Sequence, residues 1–313
     1  MKQPNPCIKR LGGSVMGSFS SIILLFRYKP LFGVAELIMV SVLIIGCGAM
    51  GTGLAMTLGA QGHVVTGLKR NPPKGGSGIN YLAADITSPE SIKTLDLAVD
   101  VVFFIVSADG RTEQSYRDIY GYGLQNMQAK FPRQPWFFVS STSVYGQTQG
   151  EWVDEGSLAE PEAVTGQLIR QAERRVLALN PDNVVIRFSG IYGSSRGHLL
   201  RMAGQAPSIQ KTPPYFTNRI HQLDCIGVLA FLLQKRLDGS CLQPCYLASD
   251  DDPAPMWDVI SWLAEKQGCA PPVIKTVGQD AISNKRCRNQ RLKDLGYQFH
   301  YASYKDGYGE LIL

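Results

Sequence analysis

Features that would define several function classes are missing from this sequence of 313 residues. It has no run of Lys or Arg of the kind that follows a nucleic-acid backbone, and its formal net charge of +5 is modest for the length. Its seven cysteines are scattered, and the close pair Cys241 and Cys245 has no second His or Cys pair at zinc-ligand spacing. These absences argue against a nucleic-acid partner and a metal site, and they predict reduced thiols in a cytoplasmic protein.

The apolar stretch near the N-terminus, 15–26, is too short to span a bilayer. It ends at Arg27, and no small-x-small cleavage site follows it. Met39 directly precedes the first strand pattern, so residues 1–38 are interpreted as an upstream extension or a mis-called start. A signal peptide, an anchor and genuine extra structure are the alternatives. We expect no membrane partner, and a monomer or homodimer.

Apolar residues, by contrast, make up 44% of the chain, which is enough for a well-buried core. From residue 40 onward, strand patterns alternate with helical patterns, and this alternation predicts an α/β fold with a Rossmann-type, doubly wound parallel sheet. The run 101–106 is apolar at every position, as in a strand covered on both faces. The predicted strands are 42–45, 63–67, 81–83, 101–106, 136–140 and 184–188, with helices near 50–61, 88–96, 113–130 and 160–179.

After Phe188 the sequence becomes rich in Gly, Pro and Ser connections. These connections separate a helix near 224–236, a strand near 244–248 and a helix near 256–267. We therefore predict a dinucleotide-binding domain over 39–188 and a smaller substrate-binding lobe over 189–313, which also contributes to the sheet.

A G-x-G-x-x-G motif lies at the junction of the first strand and the first helix. Gly46 is placed to make the tight turn, Gly48 to let the backbone approach a pyrophosphate, and Gly51 to let the helix pack closely on the strand. The helix N-terminus at Ala49 and Met50 then points toward phosphate. In this context the motif predicts a dinucleotide site rather than a glycine-rich turn that only packs.

The end of the second strand distinguishes the two common dinucleotides. An NAD site usually places Asp or Glu there to bind the ribose hydroxyls, whereas an NADP site offers Arg to the 2′-phosphate. Lys69 and Arg70 occupy this position without a carboxylate. The sequence therefore predicts NADP(H) as the preferred cofactor, with NAD(H) as the alternative; a solvated basic turn is the other interpretation of the two cations.

The segment 140–146 has the pattern S-S-x-x-V-Y-G at the end of a predicted strand. It resembles the same strand end in the extended short-chain dehydrogenase/reductases, the NAD-dependent epimerase/dehydratase family, and the details are similar to an atypical, YeeZ-like subgroup. The resemblance covers about 41–310. Further matching segments follow in the expected order, at 85–86, 187–193, 218–224, 295–297 and 304–307.

The resemblance implies roles for residues at both ends of the cofactor. Asp85 and Ile86 match the pair that flanks the adenine. Val106 and Ser107, at the end of the fourth strand, match residues beside the nicotinamide ribose.

The resemblance also implies a substrate side to the site. Ser141 matches a hydroxyl that hydrogen-bonds the reacting substrate oxygen, although it could instead cap the strand end. Arg219 and His221 match residues on the substrate-facing side of the second lobe, and a hydrogen-bonded structural histidine is the alternative for His221. Tyr145 is a candidate proton carrier, whereas packing with a capping hydroxyl is more usual in a V-Y-G turn.

One departure from the family pattern concerns the catalytic Tyr-x-x-x-Lys pair. Counting back from Glu173 places Thr165 and Ile169 at these positions, and neither can exchange or tune a proton near neutral pH. Arg170 is one position off and points about 100° away on a helix.

Two functional hypotheses follow. The first is an NADP(H)-dependent oxidoreductase or epimerase-like enzyme acting on a small hydroxyl- or carbonyl-bearing substrate, in the manner of sugar-nucleotide enzymes. The second is a non-catalytic NADP(H)-binding redox sensor or regulatory protein. Loss of the Tyr/Lys pair favours the second, whereas retention of Ser141 and of the Arg219 and His221 motif favours the first.

Overall fold

A computed structural model describes the chain over 38–73, 78–194, 196–275 and 284–312. The leader 1–37, with the predictions made for it, lies outside the described residues. The strands are β1 (Ser41–Ile45), β2 (Val64–Lys69), β3 (Asn80–Ala83), β4 (Val101–Phe104), β5 (Trp136–Ser141), β6 (Glu151–Val153), β7 (Val184–Phe188), β8 (Gly190–Tyr192), β9 (Ser208–Gln210), β10 (Phe216–Thr217), β11 (Arg219–His221), β12 (Cys245–Ala248), β13 (Ala254–Pro255), β14 (Val273–Lys275) and β15 (Lys285–Cys287).

Helices connect most of the sheet strands. The predicted helix at 113–130 is helical throughout but is interrupted by a π-helical segment, Arg117–Gly123, and a 3₁₀ turn, Thr142–Val144, follows β5. The α-helices are α1 (Ala49–Ala60), α2 (Pro89–Lys93), α3 (Glu113–Tyr116), α4 (Leu124–Lys130), α5 (Val164–Leu179), α6 (His198–Ala203), α7 (Gln222–Leu237), α8 (Met256–Lys266), α9 (Gln290–Asp294) and α10 (Tyr304–Ile312).

The central sheet consists of seven parallel strands in the order β12-β7-β5-β4-β1-β2-β3. The order reverses beside β1, because the chain continues through β2 and β3 on one side and through β4, β5 and β7 on the other. Such a reversal opens a crevice at the carboxyl ends of β1 and β4, where open α/β sheets bind their ligands. The predicted Rossmann-type, doubly wound α/β fold is confirmed.

The central strands are apolar at successive positions because helices cover both faces of the sheet. Ile44 and Phe103 pack into one buried cluster with α1 and α7, whereas Ile45 and Phe104 pack into a second cluster with α4 and α5. Complete burial of a side chain of this size stabilises the fold by roughly 1.5–3 kcal/mol. The two layers therefore hold the strand ends, and the loops that follow them, in defined positions.

The chain after β7 contributes both to the sheet and to a smaller core of its own. β12 forms the edge of the central sheet, next to β7. Tyr192, Leu263, Tyr304 and Tyr308 belong to a separate buried cluster that α8 and α10 help to form. The boundary between residues 188 and 189 stays a prediction. Among the described residues, no helix is both long and apolar enough to cross a membrane.

Candidate dinucleotide-binding and active site

The three glycines of the G-x-G-x-x-G motif occupy positions that a side chain would disturb in different ways. Gly46 has φ of +96°, and a Cβ there would lie 2.9 Å from the backbone of Ile105 and Val106, which directly follow the neighbouring strand β4. A Cβ at Gly51 would collide with the carbonyl oxygen of Gly46. At Gly48 a Cβ would meet nothing within 4 Å, so this residue leaves open space at the turn. The turn is thus shaped for close approach of a ligand at Gly48.

The N-terminus of α1, which follows this turn, has no side-chain cap. Gly48 is the N-cap residue and supplies no capping hydrogen bond, and the N–H of Thr52 is bonded to the Gly48 carbonyl at 2.8 Å. The N–H groups of Ala49 and Met50 precede that first helical bond and have no intrahelical acceptor. Unpaired N–H groups and the positive end of the helix dipole together form a site for phosphate.

A cleft of about 260 Å³ lies at the carboxyl ends of β1 to β4. All eleven residues that the sequence predicts to contact the cofactor line it, although they come from four separate segments of the chain. They are Gly46, Gly48, Ala49, Met50, Gly51, Lys69, Arg70, Asp85, Ile86, Val106 and Ser107. The donor set fits a dinucleotide, because backbone N–H groups lie at the centre of the cleft and cations at one end.

The cationic end of the cleft also holds two carboxylates. Arg70 is ion-paired with Asp109, with 2.6 Å between Nη2 and Oδ2. Burial raises the pKa of Asp85, but hydrogen bonds from Thr87 and the charge of Arg70 outweigh this effect, so the pKa is below its usual value. Asp85 therefore presents an ionised carboxylate beside the predicted adenine position.

The other end of the cleft is formed by the residues that follow β4. Val106 is held in place by the Tyr120 hydroxyl, which donates to its carbonyl at 3.3 Å. Ser141 lies at the end of the neighbouring strand β5, where its oxygen accepts the N–H of Ser143 at 3.1 Å and caps the 3₁₀ turn. The capping interpretation of Ser141 is thus observed, and its role toward a substrate stays a prediction.

The geometry around Tyr145 argues against a role as the proton carrier. Its side chain is buried, and its hydroxyl donates to the Asp154 carbonyl at 2.7 Å while it accepts from Arg187 at 2.9 Å. Burial raises the pKa of Tyr145 far above neutrality, although the Arg187 charge opposes this shift. The phenol therefore connects a loop to the interior and is unsuited to proton transfer.

Helix α5 carries a buried ion network where the family has its catalytic helix. Glu173 is fully buried and accepts hydrogen bonds from Ser140 at 2.6 Å, from Arg170 at 2.7 Å and from Arg187 at 2.7 and 2.8 Å. Arg170 is thus paired with a carboxylate, and Ile169 is packed in the core. None of these side chains replaces the missing lysine.

Arg219 and His221 both lie in the protein interior, with exposed fractions of 3% and 6%. His221 is the N-cap of α7, where Nδ1 accepts the N–H of Leu223 at 3.3 Å, and its ring packs 4.1 Å from that of Tyr301. Burial lowers the pKa of His221, so the ring is neutral near pH 7. This geometry supports the structural interpretation of His221, and substrate contact by either residue stays a prediction.

Arg196 lines the cleft but was not singled out from the sequence. It follows β8 in a Gly/Ser-rich connection that carries no local motif for cofactor contact. Cys47 also lines the cleft; burial raises the pKa of its thiol to about 11, so it is not a nucleophile at neutral pH. Among the described residues, no cluster of His, Cys, Asp and Glu could hold a metal ion.

Comparisons with known proteins agree with this site. Residues 41–145 match the family model for the NAD binding domain of 6-phosphogluconate dehydrogenase. The chain is 29% identical to protein YeeZ of Escherichia coli K12 over 282 residues, which is 84% of this chain and 97% of YeeZ.

Solved structures extend the comparison to the whole fold. A candidate NAD-dependent epimerase/dehydratase from Methylobacillus flagellatus is 35% identical, with a TM-score of 0.75 over 87% of this chain and 97% of that one. The UDP-glucose 4-epimerase of Thermus thermophilus, solved with NAD, is 16% identical with a TM-score of 0.70, over 85% of this chain and 96% of that one, and so shares the fold. The chain is thus similar to YeeZ over most of its length, and it belongs to the NAD-dependent epimerase/dehydratase family.

Proposed function

We propose that this NAD(P)-binding, epimerase-like protein is an oxidoreductase or epimerase that uses NADP(H) and acts on a small hydroxyl- or carbonyl-bearing substrate. The observation that carries the proposal is the cleft that brings together the glycine loop, the two cations after β2 and the end of β4. A nicotinamide dinucleotide supplies a hydride acceptor or donor when it is bound.

The N–H groups of Ala49 and Met50 are suited to hold the pyrophosphate, because they have no intrahelical acceptor, whereas the N–H of Gly48 is bonded to the Gly46 carbonyl at 2.9 Å. Ser141 is suited to the substrate oxygen. Its own oxygen accepts the Ser143 N–H, and this use leaves the hydroxyl proton available for donation. A donor at this point stabilises negative charge that develops on a carbonyl oxygen during hydride transfer. The proton itself then comes from water or from another group.

The preference for NADP(H) rests on Lys69 and Arg70 at the end of β2. A guanidinium group donates two parallel hydrogen bonds to a phosphate. The ribose hydroxyl of NAD cannot accept such a pair. Arg70→Asp should therefore weaken NADPH binding by about 10- to 100-fold and narrow or reverse the preference over NADH. Calorimetric titration of the full chain with each dinucleotide measures this. Arg174→Asp, on an exposed turn of α5, gives the same change in net charge and serves as the control.

A second candidate function is a non-catalytic NADP(H) sensor. It is favoured by the internal pairing of the Tyr145 hydroxyl with Asp154 and Arg187. The sequence count that puts Thr165 and Ile169 at the positions of the family's acid/base pair also favours it. Oxidation of NADPH with a panel of carbonyl compounds separates the two functions. Turnover with any of them supports the enzyme, whereas tight NADPH binding without turnover supports the sensor.

The proposal includes a cytoplasmic location and a monomeric or homodimeric state. The cysteines that the structure describes are thiols, and reduced thiols agree with a cytoplasmic location. No nucleic-acid or metal partner is part of the proposal.

A further inference from the structure

The Arg70–Asp109 ion pair bridges two loops that lie on either side of the glycine motif. Arg70 follows β2, Asp109 lies in the loop after β4, and the sheet places β1 between those two strands. The pair thus crosses the cleft above the end of β1. Both side chains are about half exposed, at 54% and 62%, so neither is locked in place by packing.

The Arg70 guanidinium is the group proposed to bind the 2′-phosphate of NADP. One of its nitrogens is already paired with Asp109. The Asp109 carboxylate lies 2.6 Å from Nη2, one of the guanidinium nitrogens that a phosphate would bind. A carboxylate and a phosphate on the same guanidinium are also like charges at close range, which repel each other. Asp109 therefore opposes two-point binding of a 2′-phosphate through Nη2, whereas binding of a plain ribose meets no such competition.

We propose that Asp109 is a specificity-determining residue that competes with the 2′-phosphate of the cofactor for Arg70. It lowers the affinity for NADP(H) and leaves the affinity for NAD(H) unaffected. The preference for NADP(H) is therefore smaller than it would be with Lys69 and Arg70 and no Asp109. This inference rests on the proposed function, since it assumes that a dinucleotide occupies the cleft.

The pair has a second consequence for the nicotinamide end of the cleft. Asp109 is two residues from Ser107, which lines the cleft beside the predicted nicotinamide position. While the pair is intact, the loop is tied to the end of β2; when a 2′-phosphate takes Arg70, the loop is released. NADP(H) and NAD(H) should therefore leave this loop in different states.

The experiment compares Asp109→Asn with a matched variant. Glu113→Gln removes another exposed carboxylate, one that pairs with Arg117 at 2.5 Å only four residues away, and neither member of that pair lines the cleft. Exposed pairs of this kind contribute little to folding, so both variants should fold normally. Each full-length variant is titrated with NADPH, NADH, 2′,5′-ADP and 5′-ADP by calorimetry, at low and high salt.

We expect Asp109→Asn to bind NADPH and 2′,5′-ADP about tenfold more tightly at low salt, with less gain at high salt because exposed charges are screened. Binding of NADH and 5′-ADP should stay within about twofold, and Glu113→Gln should behave as the original protein. In an Arg70→Gln background, the gain from Asp109→Asn should be much smaller, because no guanidinium is left for the two anions to compete for.

Two results would overturn the inference while leaving the proposed function intact. One is unchanged NADPH affinity in Asp109→Asn; the other is weaker NADH binding in that variant, which would make Asp109 a direct acceptor for the ribose hydroxyls. If the unaltered protein binds neither dinucleotide, the proposed function fails and this inference fails with it.

Discussion

The cofactor cleft and the region around α5 are built in opposite ways. The cleft depends on backbone: a left-handed glycine, an uncapped helix N-terminus and strand ends that meet at one edge of the sheet. The α5 region depends on side chains, with buried Glu173 accepting hydrogen bonds from Arg170, Arg187 and Ser140. The first arrangement leaves donors unpaired for a ligand, whereas the second pairs its groups internally. A site for binding and a site for stability thus lie next to each other on the same sheet.

The largest expected effect tests the stability side of this comparison. Glu173→Gln keeps the shape of the side chain but leaves the guanidinium of Arg187, which is 5% exposed, buried without its counter-charge. The free energy of unfolding should fall by about 3–5 kcal/mol, as is typical when one partner of a buried pair is removed. Urea denaturation measures the loss, and Glu113→Gln, in an exposed pair, should cost less than about 1 kcal/mol.

At temperatures where the Glu173→Gln variant is still folded, its affinity for NADPH should be unchanged, since no residue of the network lines the cleft. A loss of stability below about 1 kcal/mol, or a large loss of cofactor affinity, would contradict the division between the two regions.

The converse variant, Gly48→Asp, should weaken dinucleotide binding without lowering the stability of the fold. A Cβ fits at Gly48, its φ of −75° suits any residue, and Asp is a better helix N-cap than Gly. The new carboxylate would compete for the N–H groups of α1 and repel the pyrophosphate. We expect dinucleotide affinity to fall at least about 100-fold, with an unfolding free energy equal to or slightly above that of the unaltered chain.

Gly51→Ala is the contrasting control for that experiment. Its methyl group would collide with the Gly46 carbonyl oxygen, so it should reduce stability as well as binding. If Gly48→Asp still binds NADPH with full affinity, the cleft is not the pyrophosphate site.

The same contrast explains how much could be predicted from the sequence. The strands of the central sheet are predicted within a few residues of their observed ends, and β1 and β4 most directly, because strands covered on both faces are apolar at every position. The cleft residues were found because each follows its strand directly, and parallel strands end at one edge. These signals are local, so an amino-acid pattern is enough to detect them.

Long-range features could not be predicted in this way. β6 and β15 have only three residues each and pair across more than 130 positions, so neither has enough length for a periodic pattern. The Tyr145 hydroxyl has partners in Asp154 and Arg187, and nothing in the V-Y-G motif indicates the second of them. Asp109 was missed for a related reason: its contact with Arg70 depends on two loops meeting across the end of β1.

The most conditional effect concerns catalysis, where the family's acid/base pair is absent. Once a carbonyl substrate is found, Ser141→Ala should lower turnover by roughly 10²-fold if, as we propose, its hydroxyl binds the oxygen on which charge develops. Ser141→Thr should restore most of this, since it keeps both the donor and the acceptor for the Ser143 N–H. Thr165→Val should change turnover much less than the roughly 10²–10⁴-fold typical of losing a general acid/base. Cofactor affinity should stay constant in all three variants. If Thr165→Val abolishes turnover while Ser141→Ala does not, the roles assigned to the two hydroxyls are reversed, and the proton follows a route through α5.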